Sequence, residues 1–344
     1  MRVAIVGPFH PEPKEGGVEQ HVYHISRCYE ELGIDVERWS WKVGEDAGGI
    51  RRISLFNLGK CFRESKADLV HFHSTATTFS LFYNLGRFKG KAVSTIHAFY
   101  HHEFETTPRM KALSMVMAAP YKTALRRIGN TVAVSKKIKD EAEQGGVPVK
   151  AVIGNGVPLG EIRKAVERDD LRSDAIMVGR FSEQKGVFDF INAFSGTGLD
   201  VMLMGYGEKA VERKVRELCR KGGIKCIVAP SRRVVLSAIK SSKVFLFPSK
   251  YEPFGIVGVE ALALGKPVVV YKMAGGPLDF VENRGNGLVI ENTPEALRSS
   301  AKMLLDDRKF LGLLSKNALK SSEGHDWPII AKKMKTFYSN LLGC

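Results

Sequence analysis

The sequence is poor in the features that mark membrane-spanning, secreted and disulfide-bonded proteins. No apolar run in its 344 residues approaches the roughly 18 to 20 residues of a membrane span, and residues 1–10 lack the long apolar stretch and the small-residue cleavage site of a signal peptide. The five cysteines are scattered and form no Cys-x-x-Cys, so neither a disulfide framework nor a zinc site is indicated. We therefore expect a cytoplasmic protein with reduced cysteines.

Sequence patterns of two large classes of binding protein are also missing. The first apolar run is followed by Gly7-Pro8-Phe9-His10 and not by Gly-x-Gly-x-x-Gly, which disfavours a nicotinamide-dependent dehydrogenase. Neither zinc-finger spacing nor an aromatic-rich RNA-binding signature occurs, so we expect no nucleic-acid partner. The formal net charge of +15 still predicts an anionic partner, either phosphorylated small molecules or an anionic membrane surface.

Short apolar runs alternate with amphipathic stretches along the chain. The runs predicted as buried strands cover residues 1–7, 67–73, 91–97, 130–135, 175–179, 201–205, 244–248 and 267–271. This alternation predicts an α/β fold with doubly wound parallel sheets, and the length predicts two domains. We place an N-terminal domain at 1–155, a linker at 156–172, a C-terminal domain at 173–322, and a helix at 323–344 that returns to the N-terminal domain.

Basic residues follow the first strand of the predicted second domain. Ligands of open parallel sheets bind beyond the carboxyl ends of the strands, and Arg180 and Lys185 stand at such a position. A guanidinium and an ammonium group at this spacing could straddle a diphosphate. A solvated basic loop is the alternative interpretation.

Two carboxylates flank a predicted helix start in the same domain. A strand ends at Pro248, a loop holds Glu252, and a helix begins near Phe254 and carries Glu260. A phosphate at the helix start would meet free backbone N–H groups, while the helix would carry Glu260 about 9 Å further on. Each carboxylate could accept charge-assisted hydrogen bonds from vicinal hydroxyls.

The run from Pro248 to Val268 reads P-S-x-x-E-P-F-G-x-x-x-x-E-A-L-A-x-G-x-P-V and resembles the signature of the retaining GT-B glycosyltransferases of family 4. Five further segments stand in the order typical of that family: Gly16-Gly17-Val18-Glu19, Thr95-Ile96-His97, Asn155-Gly156-Val157, Gly179-Arg180…Lys185-Gly186 and Gly205-Tyr206-Gly207. The resemblance covers nearly the whole chain and implies the GT-B fold, in which two Rossmann-like domains face a central cleft.

The resemblance also implies roles for individual residues. Arg180 and Lys185 would neutralise the donor diphosphate without Mg²⁺, Glu252 would bind the transferred sugar, and Glu260 would bind the ribose. His97 would lie near the sugar and position a hydroxyl or support the developing charge. Glu252 as a glycosidase-like nucleophile is a disfavoured alternative, and no nucleophile is assigned.

Backbone groups would complete the donor site that the resemblance implies. Amides near Phe254, Gly255 and Ile256 would hold the leaving phosphate, and Gly16 and Gly17 would approach it from the opposite domain. The donor-binding set also includes Gly205 and Gly207, although these glycines could simply permit close backbone approach. The donor is a substrate, and neither a cofactor nor a metal is expected.

The expected activity is transfer of a hexose-type sugar from a nucleoside-diphosphate sugar to an acceptor hydroxyl, with retention. A GT-B nucleotide-sugar epimerase or phosphorylase is the nearest alternative, and a non-catalytic basic binding protein is an alternative of another class. The donor base, the sugar, the acceptor and the oligomeric state stay open.

A basic patch lies in the predicted N-terminal domain. Its members are Arg87, Lys89, Lys91, Arg109, Lys111, Lys122, Arg126, Arg127, Lys136, Lys137 and Lys139. The patch is either a solvated face or a surface that binds anionic lipid or a lipid-linked phosphate acceptor at the inner face of the membrane. His71 and His73 alternate in a predicted strand, where we interpret them as packing or acceptor-side residues and not as metal ligands.

Overall fold

The computed structural model describes residues 1–9, 17–42, 48–54, 56–73, 91–99 and 108–343. The helices of this part are α1 Gly17–Glu31, α2 Leu58–Glu64, α3 Pro108–Ile128, α4 Lys136–Gln144, α5 Leu159–Ile162, α6 Val187–Phe194, α7 Lys209–Gly222, α8 Arg232–Ser241, α9 Ile256–Ala263, α10 Pro294–Asp306, α11 Arg308–Ser322 and α12 Trp327–Leu342. The strands are β1 Arg2–Val6, β2 Asp35–Ser40, β3 Ile50–Arg52, β4 Leu69–Phe72, β5 Lys91–Ile96, β6 Thr131–Ala133, β7 Ala151–Val152, β8 Ser173–Arg180, β9 Val201–Tyr206, β10 Lys225–Val228, β11 Ser242–Phe247, β12 Val268–Tyr271 and β13 Gly287–Ile290.

The first compact unit comprises Met1–Gly156 and Trp327–Cys344. Its described strands form a parallel sheet in the order β3-β2-β1-β4-β5-β6-β7. Strand β1 pairs with β2 on one side and with β4 on the other, so the direction of chain progress reverses between β1 and β4. The apolar residues of β1 from Val3 to Val6 are all buried, as expected for a parallel strand covered on both faces.

Helix α12 belongs to the core of this first unit. Its side chains Trp327, Ile330 and Met334 are buried together with residues of β1 and α1. The hydroxyl groups of Tyr29 on α1 and Tyr338 on α12 lie 3.0 Å apart. The last helix therefore supplies apolar surface that the first 156 residues do not provide themselves.

The second compact unit comprises Val157–Asp326. Its described strands form a parallel sheet in the order β10-β9-β8-β11-β12-β13. The first strand of the unit, β8, pairs with β9 on one side and with β11 on the other, which again reverses the chain direction. Two doubly wound parallel domains confirm the predicted α/β fold class.

The region predicted as a linker differs in the structure. Residues 157–172 belong to the second unit, and Val157, Leu159 and Ile162 are buried there. Val157 also forms a bridge with Asp326. Charged residues and turn formers around these three apolar side chains explain why the sequence pattern suggested a linker.

Candidate functional site

The chain reverses direction between β8 and β11 of the second unit, which is where ligands of doubly wound sheets bind. Connections leave neighbouring strands in opposite directions at such a point, so a crevice opens at their carboxyl ends. Arg180 is the last residue of β8, and Glu252 stands in the loop after β11. The topology thus brings together the two segments that the sequence analysis singled out.

Gly186 holds the two loops against each other. It follows the 3-10 turn Glu183–Lys185 and has a φ of 72°. A Cβ atom at Gly186 would collide with the carbonyl oxygen of Pro248, so only glycine permits this approach. The amide N–H of Lys250 donates to the carbonyl oxygen of Gln184 at 2.8 Å, and this bond fixes the β11 loop beside the β8 loop.

Lys185 and Glu252 form an ion pair at the meeting point of these loops. Their side chains are 16% and 15% exposed, so the pair is largely shielded but still reachable. Arg180 is exposed and forms no ion pair with any residue in the described part of the chain. The site therefore combines one free guanidinium with a paired ammonium and carboxylate.

Backbone hydrogen bonds hold the Glu252 loop in place. The amide N–H of Glu252 donates to Ala274, and its carbonyl accepts from Gly276, both at 2.8 Å. A Cβ atom at Gly276 would collide with the carbonyl oxygen of Pro253. The carboxylate is thus carried by a backbone that is braced from the neighbouring β12 loop.

Helix α9 begins directly after the Glu252 loop. Gly255 precedes it with a φ of 94°, a conformation that glycine adopts without strain, and Ile256 is its first residue. Phe254 is buried, with its ring centroid 5.6 Å from that of Phe280. First-turn amides of a helix lack acceptors within the helix, so α9 offers donors and a positive dipole end to an anion.

Glu260 is almost fully buried on α9. Its side chain is 5% exposed, and one carboxylate oxygen lies 2.7 Å from Nη1 of Arg232, the first residue of α8. Burial raises the pKa of the Glu260 carboxyl, and the Arg232 charge opposes this shift. Arg232 was not predicted from the sequence, where its only signal is a basic pair after the apolar residues 226–228.

The glycines predicted to bind the donor have structural reasons of their own. A Cβ atom at Gly205 would collide with the carbonyl oxygen of Gly179, so Gly205 permits β9 to lie against β8. Gly207 contacts the Phe181 segment, and its amide N–H donates to Glu212 at 3.0 Å. Close backbone packing thus accounts for both positions, and their donor-binding role stays a prediction.

Four imidazoles gather near the chain reversal of the first unit. His73 follows β4 and His97 follows β5, while His21 lies on α1 and His71 on β4. The chain of contacts runs from His71 Nδ1 to His73 Nε2 and from His73 Nδ1 to His97 Nε2, each at 3.1 Å. His97, His71 and His73 were singled out from the sequence, whereas His21 was not.

Buried partners orient these imidazoles. Nδ1 of His21 lies 2.8 Å from Oδ1 of Asn155, and Nε2 of His71 lies 2.8 Å from Oγ1 of Thr95. Burial lowers the pKa of His21 to about 4, and burial with neighbouring imidazoles holds the pKa values of His71, His73 and His97 well below the usual value. All four rings are therefore neutral at pH 7.

The remaining predicted elements of the first unit are only partly described. Gly17 is the first residue of α1, whereas Gly16 lies outside the described residues, as do Arg87 and Lys89 of the basic patch. Helix α3 exposes Met115 and Val116 between basic positions. In the part of the chain that the structure describes, no helix is long and apolar enough to cross a membrane.

Two known protein families match the two units of this doubly wound α/β structure. Residues 160–321 match the family of glycosyl transferases group 1, and residues 15–161 match glycosyltransferase family 4. The two matches fall on the second and the first unit. The chain belongs to this family of glycosyltransferases, and its two domains are those of the GT-B fold, as the sequence analysis predicted.

Individual relatives cover different shares of the chain. An uncharacterized glycosyltransferase of Methanocaldococcus jannaschii is 26% identical over 64% of this chain. The match spans 62% of that relative, which is less than two thirds of the relative's length. The UDP-Gal:alpha-D-GlcNAc-diphosphoundecaprenol alpha-1,3-galactosyltransferase of Escherichia coli is 27% identical over 77% of this chain and 73% of its own. The crystal structure of Anabaena HepE in complex with UDP aligns with a TM-score of 0.80 at 17% identity, covering 99% of this chain and 100% of HepE.

Proposed function

We propose that the protein transfers a hexose-type sugar from a uridine-diphosphate sugar to an acceptor hydroxyl, with retention of configuration. The observation that carries this proposal is the Lys185–Glu252 ion pair, which joins the loops after β8 and β11 at the chain reversal of the second unit. The uridine base is supported by the HepE complex with UDP and by the UDP-galactose named for the Escherichia coli relative.

The proposed leaving group is a nucleoside diphosphate, whose charge must be stabilised as the glycosidic bond breaks. Arg180, Lys185 and the first-turn amides of α9 supply preorganised positive groups for this charge. No divalent cation is needed in this scheme. The bond from the anomeric carbon to the leaving phosphate breaks, a bond to the acceptor oxygen forms on the same face, and the acceptor proton passes to the leaving phosphate.

Donor binding would rearrange the charge pairs of the site. Lys185 turns from Glu252 towards the diphosphate, which frees the Glu252 carboxylate for hydroxyl groups of the sugar. Glu260 accepts hydrogen bonds from the ribose, and the guanidinium group of Arg232, 2.7 Å from its carboxylate, partly opposes the effect of burial on its charge. The uncharged His97 imidazole positions a sugar hydroxyl or supports the charge that develops on the ring.

We also propose a lipid-linked diphosphate acceptor. The Escherichia coli relative is named for such an acceptor, and a negatively charged acceptor fits a chain with a net charge of +15. The basic residues of the first unit and the exposed apolar pair on α3 suit an anionic, lipid-bearing surface.

The donor site can be tested with a matched pair of lysine variants. Calorimetric titration with UDP-glucose, UDP-galactose and UDP-N-acetylglucosamine should show binding to the wild type. Lys185→Ala should weaken it about ten-fold or more, because a charge-assisted contact to phosphate is worth roughly 1.5–3 kcal/mol. Lys250→Ala is the control, since Lys250 stands in the same loops but pairs with Glu183 and Asp189.

The activity itself requires product analysis. With an undecaprenyl-diphosphate sugar as acceptor, we expect release of UDP and an α-linked product, identified by NMR of the anomeric proton. Conversion of the donor without any acceptor would instead indicate an epimerase. Equal donor affinity of the two lysine variants would refute the proposed phosphate site.

A further inference from the structure

Three imidazoles of the first unit converge on one point in space. His21, His73 and His97 each offer a ring nitrogen, and these nitrogens all lie within 4.8 Å of one another. The ring nitrogens of His73 and His97 are already 3.1 Å apart. Ligands of a tetrahedral zinc ion, bound at about 2.0–2.1 Å, are separated by roughly 3.4 Å, so small side-chain shifts would complete such a geometry.

The two ring nitrogens of His21 differ in whether they have a hydrogen-bond partner. Nε2 of His21 is buried and has no hydrogen-bond partner among the residues that the structure describes, although His21 is only 1% exposed. A buried polar atom without a partner is costly. An incoming ligand at this nitrogen would remove the cost.

Neighbouring polar groups favour the ring tautomer that a cation needs at His21 and permit it at His73. Asn155 accepts from Nδ1–H of His21, which leaves the lone pair of His21 on Nε2. In the tautomer where Nε2–H of His73 donates to His71, the lone pair of His73 is on Nδ1. Such outer partners orient metal-bound histidines and make them stronger ligands.

We propose that the first unit binds one zinc-type transition-metal ion through Nε2 of His21, Nδ1 of His73 and Nε2 of His97. Three imidazole ligands suit zinc, copper and nickel better than magnesium or calcium, which prefer oxygen ligands. The fourth position is open to water or an anion, as in other three-histidine sites.

Metal binding would have a consequence for the transferase reaction. The cation occupies Nε2 of His97, so the imidazole can no longer serve the sugar. We expect micromolar zinc to inhibit sugar transfer in proportion to site occupancy. This consequence rests on the proposed role of His97, whereas metal binding itself does not.

Binding is measured on the untagged full chain after treatment with a chelator. Competition with a chromogenic chelator should give one zinc ion per chain, and Co²⁺ should give the strong visible absorption of a tetrahedral site. His21→Gln should weaken zinc binding about ten-fold or more. His24→Gln, one turn further along α1 and bonded to Gln20, should leave the affinity unchanged. Equal affinities for these two variants would overturn the proposal, as would the absence of zinc binding at equimolar metal.

A variant of Asn155, which contacts Nδ1 of His21, gives an independent test that does not remove a ligand. Asn155→Asp places a carboxylate on Nδ1 of His21, and we expect it to tighten zinc binding several-fold, since outer partners change metal affinity by about 10- to 100-fold. Unchanged affinity would overturn the proposal even if His21→Gln fails to fold. Binding without inhibition would retain the metal site and refute only the role of His97.

Discussion

Glu260 shows how one carboxylate can be unfavourable for folding and still be retained. Its oxygens are withdrawn from water on α9, and burial outweighs the attraction of Arg232 in raising its pKa. Arg232 remains 48% exposed, so it can be solvated without its partner. The unfavourable charge is therefore that of Glu260.

We predict that Glu260→Gln stabilises the protein at pH 7 while weakening donor binding. A carboxyl whose pKa is higher in the folded than in the unfolded state lowers stability as pH rises through that window. The variant should melt about 2–4 °C higher at pH 7, the shift that roughly 1 kcal/mol produces in a domain of this size. Below the pKa of the unfolded state, the advantage should vanish.

Glu217→Gln is the control for this measurement. Glu217 also pairs with a basic residue, Lys221, but its side chain is 58% exposed. Its replacement should not produce a stability gain that grows with pH. A lower melting temperature for Glu260→Gln at pH 7 would show that the Arg232 pair outweighs burial.

The sequence patterns identified β8 and β11, and with them the places of Arg180 at the end of β8 and of Glu252 in the loop after β11. Adjacent parallel strands place such residues at one sheet edge, while their roles in the reaction stay predictions. Arg232 and His21 were missed because their partners, Glu260 and Asn155, are distant in sequence. Only the packing of α8 and α1 brings those pairs together.

Two glycines with a left-handed backbone differ in how closely other parts of the chain approach them. Gly186 and Gly196 have φ values of 72° and 71°. A Cβ atom would collide with Pro248 at Gly186, whereas nothing lies within 4 Å at Gly196. An alanine at either position would therefore have the same backbone strain, but only at Gly186 would its Cβ atom also collide with a neighbouring residue.

We predict that Gly186→Ala costs several kcal/mol and abolishes donor binding, because the β8 and β11 loops must separate. Gly196→Ala should cost only about 1 kcal/mol, the typical penalty for a left-handed alanine. Urea denaturation of both variants, with UDP-glucose titration, measures the difference. Similar destabilisation by the two substitutions would contradict close loop contact as the reason for Gly186.

The strands that sequence patterns identified are apolar and mostly buried. The predicted runs coincide with β1, β4, β5, β6, β8, β9, β11 and β12. Five of the described strands were not predicted: β2 reads DVERWS, β3 reads IRR, β7 has two residues, β10 is only half-buried, and β13 reads GLVI. Such strands form because a neighbour offers hydrogen bonds, which is information that a local pattern does not contain.

At the scale of the whole molecule, the chain passes between its two units twice. The first passage lies at Gly156–Val157 and the second at Asp326–Trp327. Val157 and Asp326 form a bridge, and a Cβ atom at Gly156 would meet the Trp327 ring. The ends of the first unit's two segments are therefore adjacent, and the second unit is one continuous segment.

We predict that the first unit folds without the second but not without α12. Replacing residues 157–326 with a short Gly-Ser linker between Gly156 and Trp327 should give a cooperative thermal transition. Residues 1–156 alone should lack one, because burying each large apolar side chain of α12 is worth roughly 1.5–3 kcal/mol against a total stability of about 5–15 kcal/mol. Circular dichroism and hydrogen exchange measure both fragments.

The converse fragment, residues 157–326, should fold and bind UDP through the Lys185 site. Its Lys185→Ala variant should lose binding to the same extent as the full chain, because Arg180, Glu252 and α9 all lie in this unit. Folding of residues 1–156 at an unchanged melting temperature would contradict the role of α12. If the fragment 157–326 folds but does not bind UDP, then the diphosphate contacts of the second unit do not suffice, and groups of the first unit are required for donor binding.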